Sequence, residues 1–240
     1  MNGKLISLLA LSLVVLGGWF YSRRSPQQNA LLTRELATLG LAEHLSRNFP
    51  GQRALVVSNP FTQRKGLAKE VYTYEQAGIR GLQKGFAGKV TVEAVAFPEL
   101  KSEAQKDPRS VFIDPATTTP LSYLVAEGAF DALSKQHPNC DLIVSLVGLP
   151  VDLSLVEIWQ KNGAPKFALL LPDLRVVGDA AAVIAAVKSG KLAAFVLNKP
   201  SAPPEQTAHG KDRAQEFNRR FILVTPQNIE QVAQDYPQLF

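Results

Sequence analysis

Residues 182–200 read AVIAAVKSGKLAAFVLNKP. Ala182, Val183, Ala186 and Val187 fall at helical spacing and form one apolar stripe; Asp179 stands ahead of them as a cap, and Gly190 suits the left-handed residue that ends a helix. Residues 192–197 then run apolar without alternation, the pattern of a strand buried on both faces, and Asn198-Lys199-Pro200 carries the chain out. A helix followed at once by such a strand is half of a parallel crossover unit. The arrangement recurs. Apolar runs at 54–57, 90–96, 142–147, 167–171 and 221–224 alternate with helical stretches long enough for right-handed crossovers. This predicts an α/β fold, a three-layer α/β/α sandwich on a mostly parallel sheet of about six strands. The expected order is 2-1-3-4-5, with the sixth strand beside the fifth.

Outside that unit the helices have readable ends. Leu31, Leu32, Leu36, Leu39, Leu41 and Leu45 predict an amphipathic helix stopped by Phe49-Pro50-Gly51, after a polar spacer at 25–28. Residues 121–136 predict the longest internal helix. Asp152 opens another, which Gly163 ends, and Thr225-Pro226 opens a final one through Tyr236. Gly78, Gly81, Gly85 and Gly88 suggest a helix lying close on the sheet. Residues 98–120, with a brief strand at 111–113, and 199–212 are long connections, which in a compact domain are functional or mobile.

Residues 5–21, LISLLALSLVVLGGWFY, carry no charge and lie between Lys4 and Arg23-Arg24. At 1.5 Å per residue the run spans about 25 Å, enough for one membrane crossing, with Trp19 and Tyr21 suited to the interface. The bulky residues after Gly17-Gly18 are poor for signal cleavage, so an uncleaved anchor is favoured over a signal peptide. The division expected is therefore an anchor at 1–24, a spacer and amphipathic helix at 25–52, and the α/β domain at 53–240. A short apolar segment there acts as an export signal, which puts the domain outside the cytoplasm, on a bacterial-type inner membrane crossed once.

The formal charge is +5, of which Lys4, Arg23 and Arg24 supply three, leaving +2 from Ser25 onward. That balance, without a dense basic stripe, argues against nucleic acid. The one cysteine, Cys140, forms no intramolecular disulfide, and His44, His137 and His209 stand singly, without the ligand spacing of a zinc site. No G-x-G-x-x-G, Walker loop or nucleophile elbow is present, so neither cofactor nor metal is expected.

In an open parallel sheet, ligands sit beyond the carboxyl ends of the strands. The segments at the predicted exits each contain a proline: Ser58-Asn59-Pro60, Phe97-Pro98, Gly148-Leu149-Pro150, Pro172-Asp173, Asn198-Lys199-Pro200 and Thr225-Pro226-Gln227. Candidate ligand-binding residues are Ser58, Asn59, Thr62, Asp173, Asn198 and Lys199, with Gln63 near them. Amides and hydroxyls of this kind suit a small neutral hydroxylated or amino-acid-like ligand.

The segments EQAGIRGLQKGFAGKVTVEAVAFP (75–98), NCDLIVSLVGLP (139–150) and AVIAAVKSGKLAAFVLNKP together resemble one lobe of the type I periplasmic binding proteins, over roughly residues 53–200. The resemblance implies a Rossmann-like domain that binds a small polar ligand without catalysis. That family closes two lobes on its ligand, and the length here allows one, so self-association is the expected source of a second wall, and a homodimer or an envelope protein the expected partner. Two alternatives stay open: a tethered enzyme of the same fold using Asn59, Asp173 and Lys199, and a structural subunit of an envelope assembly.

Overall fold

The computed structural model describes residues 25–240 apart from Asn162 and Ala164. The predicted anchor at 1–24 lies outside the described residues; among those described, no helix is long and apolar enough to cross a membrane. Six strands, β1 (Arg53–Val57), β2 (Thr91–Ala96), β3 (Leu142–Ser145), β4 (Lys166–Leu170), β5 (Leu192–Asn198) and β6 (Phe221–Val224), form one sheet in the order β2-β1-β3-β4-β5-β6. The first five are parallel, as expected. β6 runs antiparallel to β5, pairing Phe221 with Asn198 and Val224 with Phe195. This corrects the reading of Thr225-Pro226-Gln227 as an exit on the common rim: Thr225 leaves the sheet at the opposite end.

Helices α1 (Pro26–Asn48) and α2 (Lys69–Phe86) cover one face, where Leu36, Leu41, Leu45, Ile79, Leu82 and Phe86 meet Ala54, Val56, Val144, Ala168 and Val196. On the other face, α5 (Ala129–Gln136), α7 (Ala180–Lys188) and α9 (Ile229–Asp235) bury Phe130, Leu133, Val183, Val187, Ile229 and Val232 against Leu55, Ile143, Phe167 and Phe195. Such continuously apolar strands need both covers. Ser25 is no spacer residue: its hydroxyl accepts from the Gln28 N–H, and the Gln28 side chain accepts from the Ser25 N–H, a capping box with Pro26 at the first helical position. α1 thus shares the core of the sheet that follows it.

The glycines of α2 serve helix contact rather than sheet contact. A Cβ on Gly81 would stand 2.3 Å from the Glu35 carbonyl oxygen, and one on Gly85 would stand 2.6 Å from that of Leu39, so the two backbones touch. Gly78 faces Arg34, Gly81 Thr38 and Gly85 Ala42, which makes α1 and α2 parallel.

Other expectations need correction. The helix read at 121–136 is two, α4 (Pro120–Leu124) and α5, because Val125 bridges to Leu100 and Gly128 is left-handed at φ 71°. No strand forms at 111–113; Val111 and Ile113 pack into a small cluster with Leu100, Ala104 and Leu124. Asp152 caps a 3₁₀ turn, Leu153–Leu155, ahead of the four-residue α6 (Glu157–Gln160) rather than one long helix. The last helix starts at Ile229, since Asn228 Oδ1 accepts from the Thr225 N–H and so closes a turn first. Asp179 does cap α7, accepting from Ala182 N–H at 2.9 Å, and Gly190 is left-handed at φ 77°. The short α3 (Ser102–Lys106) lies in the long connection after β2.

Residues 199–212 are clamped, not loose. From α8 (Arg213–Arg220), the buried Arg220 donates Nε to Glu216, Nη1 to the carbonyls of Pro203 and Pro204, and Nη2 to that of Thr207. Burial alone would raise the Glu216 carboxyl, but hydrogen bonds from Arg219, Arg220 and the Gly210 N–H outweigh it and hold the group at about 2. The unfolded chain therefore takes up the proton first, and the stability contributed by Glu216 is present above pH 4.5 and lost as pH falls towards 2. Urea midpoints of wild type and Glu216→Gln are expected to differ most near neutrality, to draw together as pH falls below 4.5 and to converge only at about pH 2; a gap that stays constant with pH would rule this account out.

Candidate functional site

Two adjoining cavities open over the carboxyl ends of β3, β4 and β5. One, of about 430 Å³, is lined by Arg34, Tyr74, Glu75, Leu146, Leu171 and Glu205 among others; its neighbour, of about 350 Å³, by Asp173, Arg175, Leu197, Gln238 and Phe240 among others. Thr118, Leu171 and Asn198 line both. Each volume lies in the range of small-molecule sites.

The walls follow from local chemistry. β4 ends at Leu170, and Leu171 takes a left-handed φ of 48°, a backbone position that disfavours a residue with a side chain; its N–H donates to the Val196 carbonyl. That turn swings Pro172-Asp173 away from the sheet and opens the floor of both cavities. β5 runs one residue past its buried stretch, so the Asn198 side chain is exposed and its amide makes no hydrogen bond within the described chain. The Thr118 hydroxyl is likewise exposed and unengaged.

The charged groups of the walls are tied to partners. Arg34 donates Nη2 to Glu75 and to the Leu146 carbonyl, both at 3.3 Å, and lies over the Tyr74 ring at 5.0 Å. Tyr74 donates its hydroxyl to Glu205 at 3.0 Å; burial foremost, together with that carboxylate, pushes the phenol up to about 12. Asp173 accepts from Arg175 Nε at 2.9 Å and Nη2 at 2.5 Å, and Arg175 reaches on to Asp114 at 2.9 Å. Burial works against the Asp173 charge, but the bonds from Arg175 and Thr117 outweigh it and hold the carboxyl below its ordinary value. The same pairing raises Arg175.

Of the predicted site residues, Asp173 and Asn198 meet in one cavity. The others go elsewhere. Ser58 is buried and donates to Glu75 at 3.1 Å; Asn59 accepts from the Phe61 N–H as the cap of the 3₁₀ turn Pro60–Gln63, and Thr62 donates back to the Asn59 carbonyl. Lys199 lines a separate cavity of about 470 Å³ with Leu39, Glu43, Arg213 and Tyr236, between α1 and the β6 edge. Arg34, Tyr74, Glu75, Thr118, Leu171 and Glu205 were not singled out from the sequence. One signal was available: Arg34 stands on the inward face that Ala37, Leu41 and Leu45 continue, and a lone cation there asks for a buried partner.

No family model matches the chain, and no curated protein is found similar to it. Solved structures do match. A carbohydrate transporter from Acidothermus cellulolyticus 11B, in complex with myo-inositol, is 15% identical over 86% of this chain and 62% of its own, at a TM-score of 0.48. A sugar ABC transport substrate-binding protein from Bordetella parapertussis 12822 is 11% identical over 82% and 57%, at 0.47. A periplasmic solute-binding protein from Actinobacillus succinogenes 130z with bound D-allose is 12% identical over 83% and 62%, at 0.43. The chain spans less than two thirds of each. The resemblance to type I periplasmic binding proteins is therefore one of fold, and at these scores it carries nothing about ligand or activity.

Proposed function

We propose that the chain is a membrane-anchored, extracytoplasmic binding domain, without catalysis, that takes a small polar ligand in the twin cavity over β3, β4 and β5. One observation carries the reading. Asn198 and Thr118 present an amide and a hydroxyl, both unengaged, to two cavities at once, while the charged side chains beside them hold one another. Neutral donors and acceptors between tied ion pairs suit a sugar, polyol or amino acid better than a phosphate, which calls for free N–H groups at a glycine-rich turn. The anchoring and the side of the membrane rest on residues 5–21 and their flanks.

The test is a thermal-shift screen of the full-length protein in detergent against sugars, polyols, amino acids and nucleotides. A ligand that binds only the folded form raises its stability by about 2.7 kcal/mol at a hundred times Kd. Asn198→Ala is expected to weaken the hit about tenfold, the worth of one or two hydrogen bonds, and to leave the ligand-free midpoint unchanged because the side chain holds nothing in the fold. Titration calorimetry reads the affinity. No response from any class, or full affinity in both Asn198→Ala and Thr118→Val, would end the proposal.

A further inference from the structure

Val71, Tyr72, Phe112, Val151 and Leu155 are the large apolar side chains left exposed among the described residues, and all stand on segments that follow β1, β2 and β3. Those strands are neighbours in the sheet, so the five share one end of one half of it. Phe112 is 80% exposed, held outward because Val111 and Ile113 on either side turn inward. Scattered apolar residues on a surface are ordinary; a set confined to one end marks an interaction surface.

The direction of α1 says what that end faces. Asn29 and Thr33, in its first turns, donate to the carbonyls of Gln206 and Glu205 beyond the β5 exit, whereas Gly51, just past its end, donates to the carbonyl of Lys89, ahead of β2. α1 therefore enters the domain at the carboxyl end of the sheet, the end that carries the five apolar side chains. Ser22, Arg23 and Arg24 alone separate Ser25 from the apolar run at 5–21. Three extended residues reach about 10 Å.

Resting on the anchoring reading above, we infer that the carboxyl end of the sheet lies against the bilayer, with Phe112, Leu155, Val151, Tyr72 and Val71 entering the interface. Arg64, Lys65, Lys69, Lys101, Lys106 and Arg109 on the same segments are matched in number by Glu70, Glu99, Glu103, Asp107, Asp114 and Asp152, so the apolar side chains carry the contact and zwitterionic lipid suffices. The collar lies over β2, β1 and β3 and the ligand cavities over β3, β4 and β5, which leaves the far flank of the rim for entry of solute.

The experiment uses the full chain carrying Cys140→Ala and a single nitrobenzoxadiazole label at Phe112→Cys, in phosphatidylcholine nanodiscs. A second protein carries the label at Lys89→Cys, at the opposite end of the sheet. The label at 112 is expected to emit to the blue of that at 89 and to lose at least half its intensity to doxyl-bearing lipids, with no such loss at 89. An anchored chain whose label at 112 emits as at 89 overturns the docking alone. So does a label shielded but not quenched by doxyl lipid, which means that protein covers the collar. A chain that fails to float with phosphatidylcholine vesicles overturns the anchor and, with it, the docking.

Discussion

Replacing Arg220 by alanine is expected to cost about 3–5 kcal/mol of stability, the penalty for removing one partner of a buried ion pair, and to release residues 199–212 from the body of the domain. The guanidinium is 1% exposed and serves two purposes with one rigid fork. Its Nε, 2.5 Å from Glu216, neutralises a carboxylate that is itself buried, and its two terminal nitrogens bind three carbonyls of the connection. Alanine leaves those carbonyls and part of the Glu216 charge without donors. Lysine recovers little, because a point charge on a flexible stem does not span carbonyls and carboxylate together. The loss reaches the cavity over β3, β4 and β5, since Glu205 in this connection accepts from Tyr74 through its side chain and from Thr33 through its carbonyl. Hydrogen exchange of residues 199–212 and urea midpoints of Arg220→Ala and Arg220→Lys check this together. If both variants keep the wild-type midpoint and protection, the clamp described here has no energetic reality.

That connection also explains where the sequence stops being informative. Strand positions were legible because each buried run ends in a stiff exit, and the order follows from right-handed crossovers linking the parallel strands β1 to β5. The direction of β6 was not. From the β5 exit the chain travels down α1, past Thr33 to Glu43, which pairs with Arg213, and α8 then climbs back past Gly40 to Arg220. Two passes return it to the end it left, so β6 must run antiparallel. Length and composition of 199–220 allow one pass or two; the choice is made by Arg220, whose carbonyl partners lie far from any local pattern. The site divides in the same way. Asn198 was visible as a polar residue ending an apolar strand, whereas Ser58 and Asn59, equally polar at an equal position, are consumed by Glu75 and by a local turn. Arg34 and Leu171 escaped notice because one acts across 41 residues, through its bond to Glu75, and the other through its backbone angle.

Gly81→Ala is expected to destabilise the fold by about 3 kcal/mol, at or above the usual upper end for overpacking, although alanine in a helix gains about 1 kcal/mol over glycine from propensity. The reason is what the new methyl meets. At Gly81 it would lie 2.0 Å from Thr38 Oγ1 and 2.3 Å from the Glu35 carbonyl oxygen, so side-chain rotation relieves only half of the clash. The rest needs α1 to move bodily, and α1 is held on the sheet by Leu36, Leu41 and Leu45 and at its start by Asn29 and Thr33. Thr38→Ala in the same chain should therefore recover little of the loss. Gly78→Ala gives the contrast: its nearest neighbour, at 3.2 Å, is Nε of the Arg34 side chain, which can yield by a few tenths of an ångström. Since Arg34 lines the proposed ligand cavity, that variant is expected to keep its stability within about 1 kcal/mol while changing the affinity for whatever ligand the thermal-shift screen identifies. Denaturation of the three proteins separates backbone contact from side-chain contact. A Gly81→Ala protein as stable as wild type, or one fully rescued by Thr38→Ala, would mean that the two helices are free to separate and that the glycine spacing of α2 is not what sets their approach.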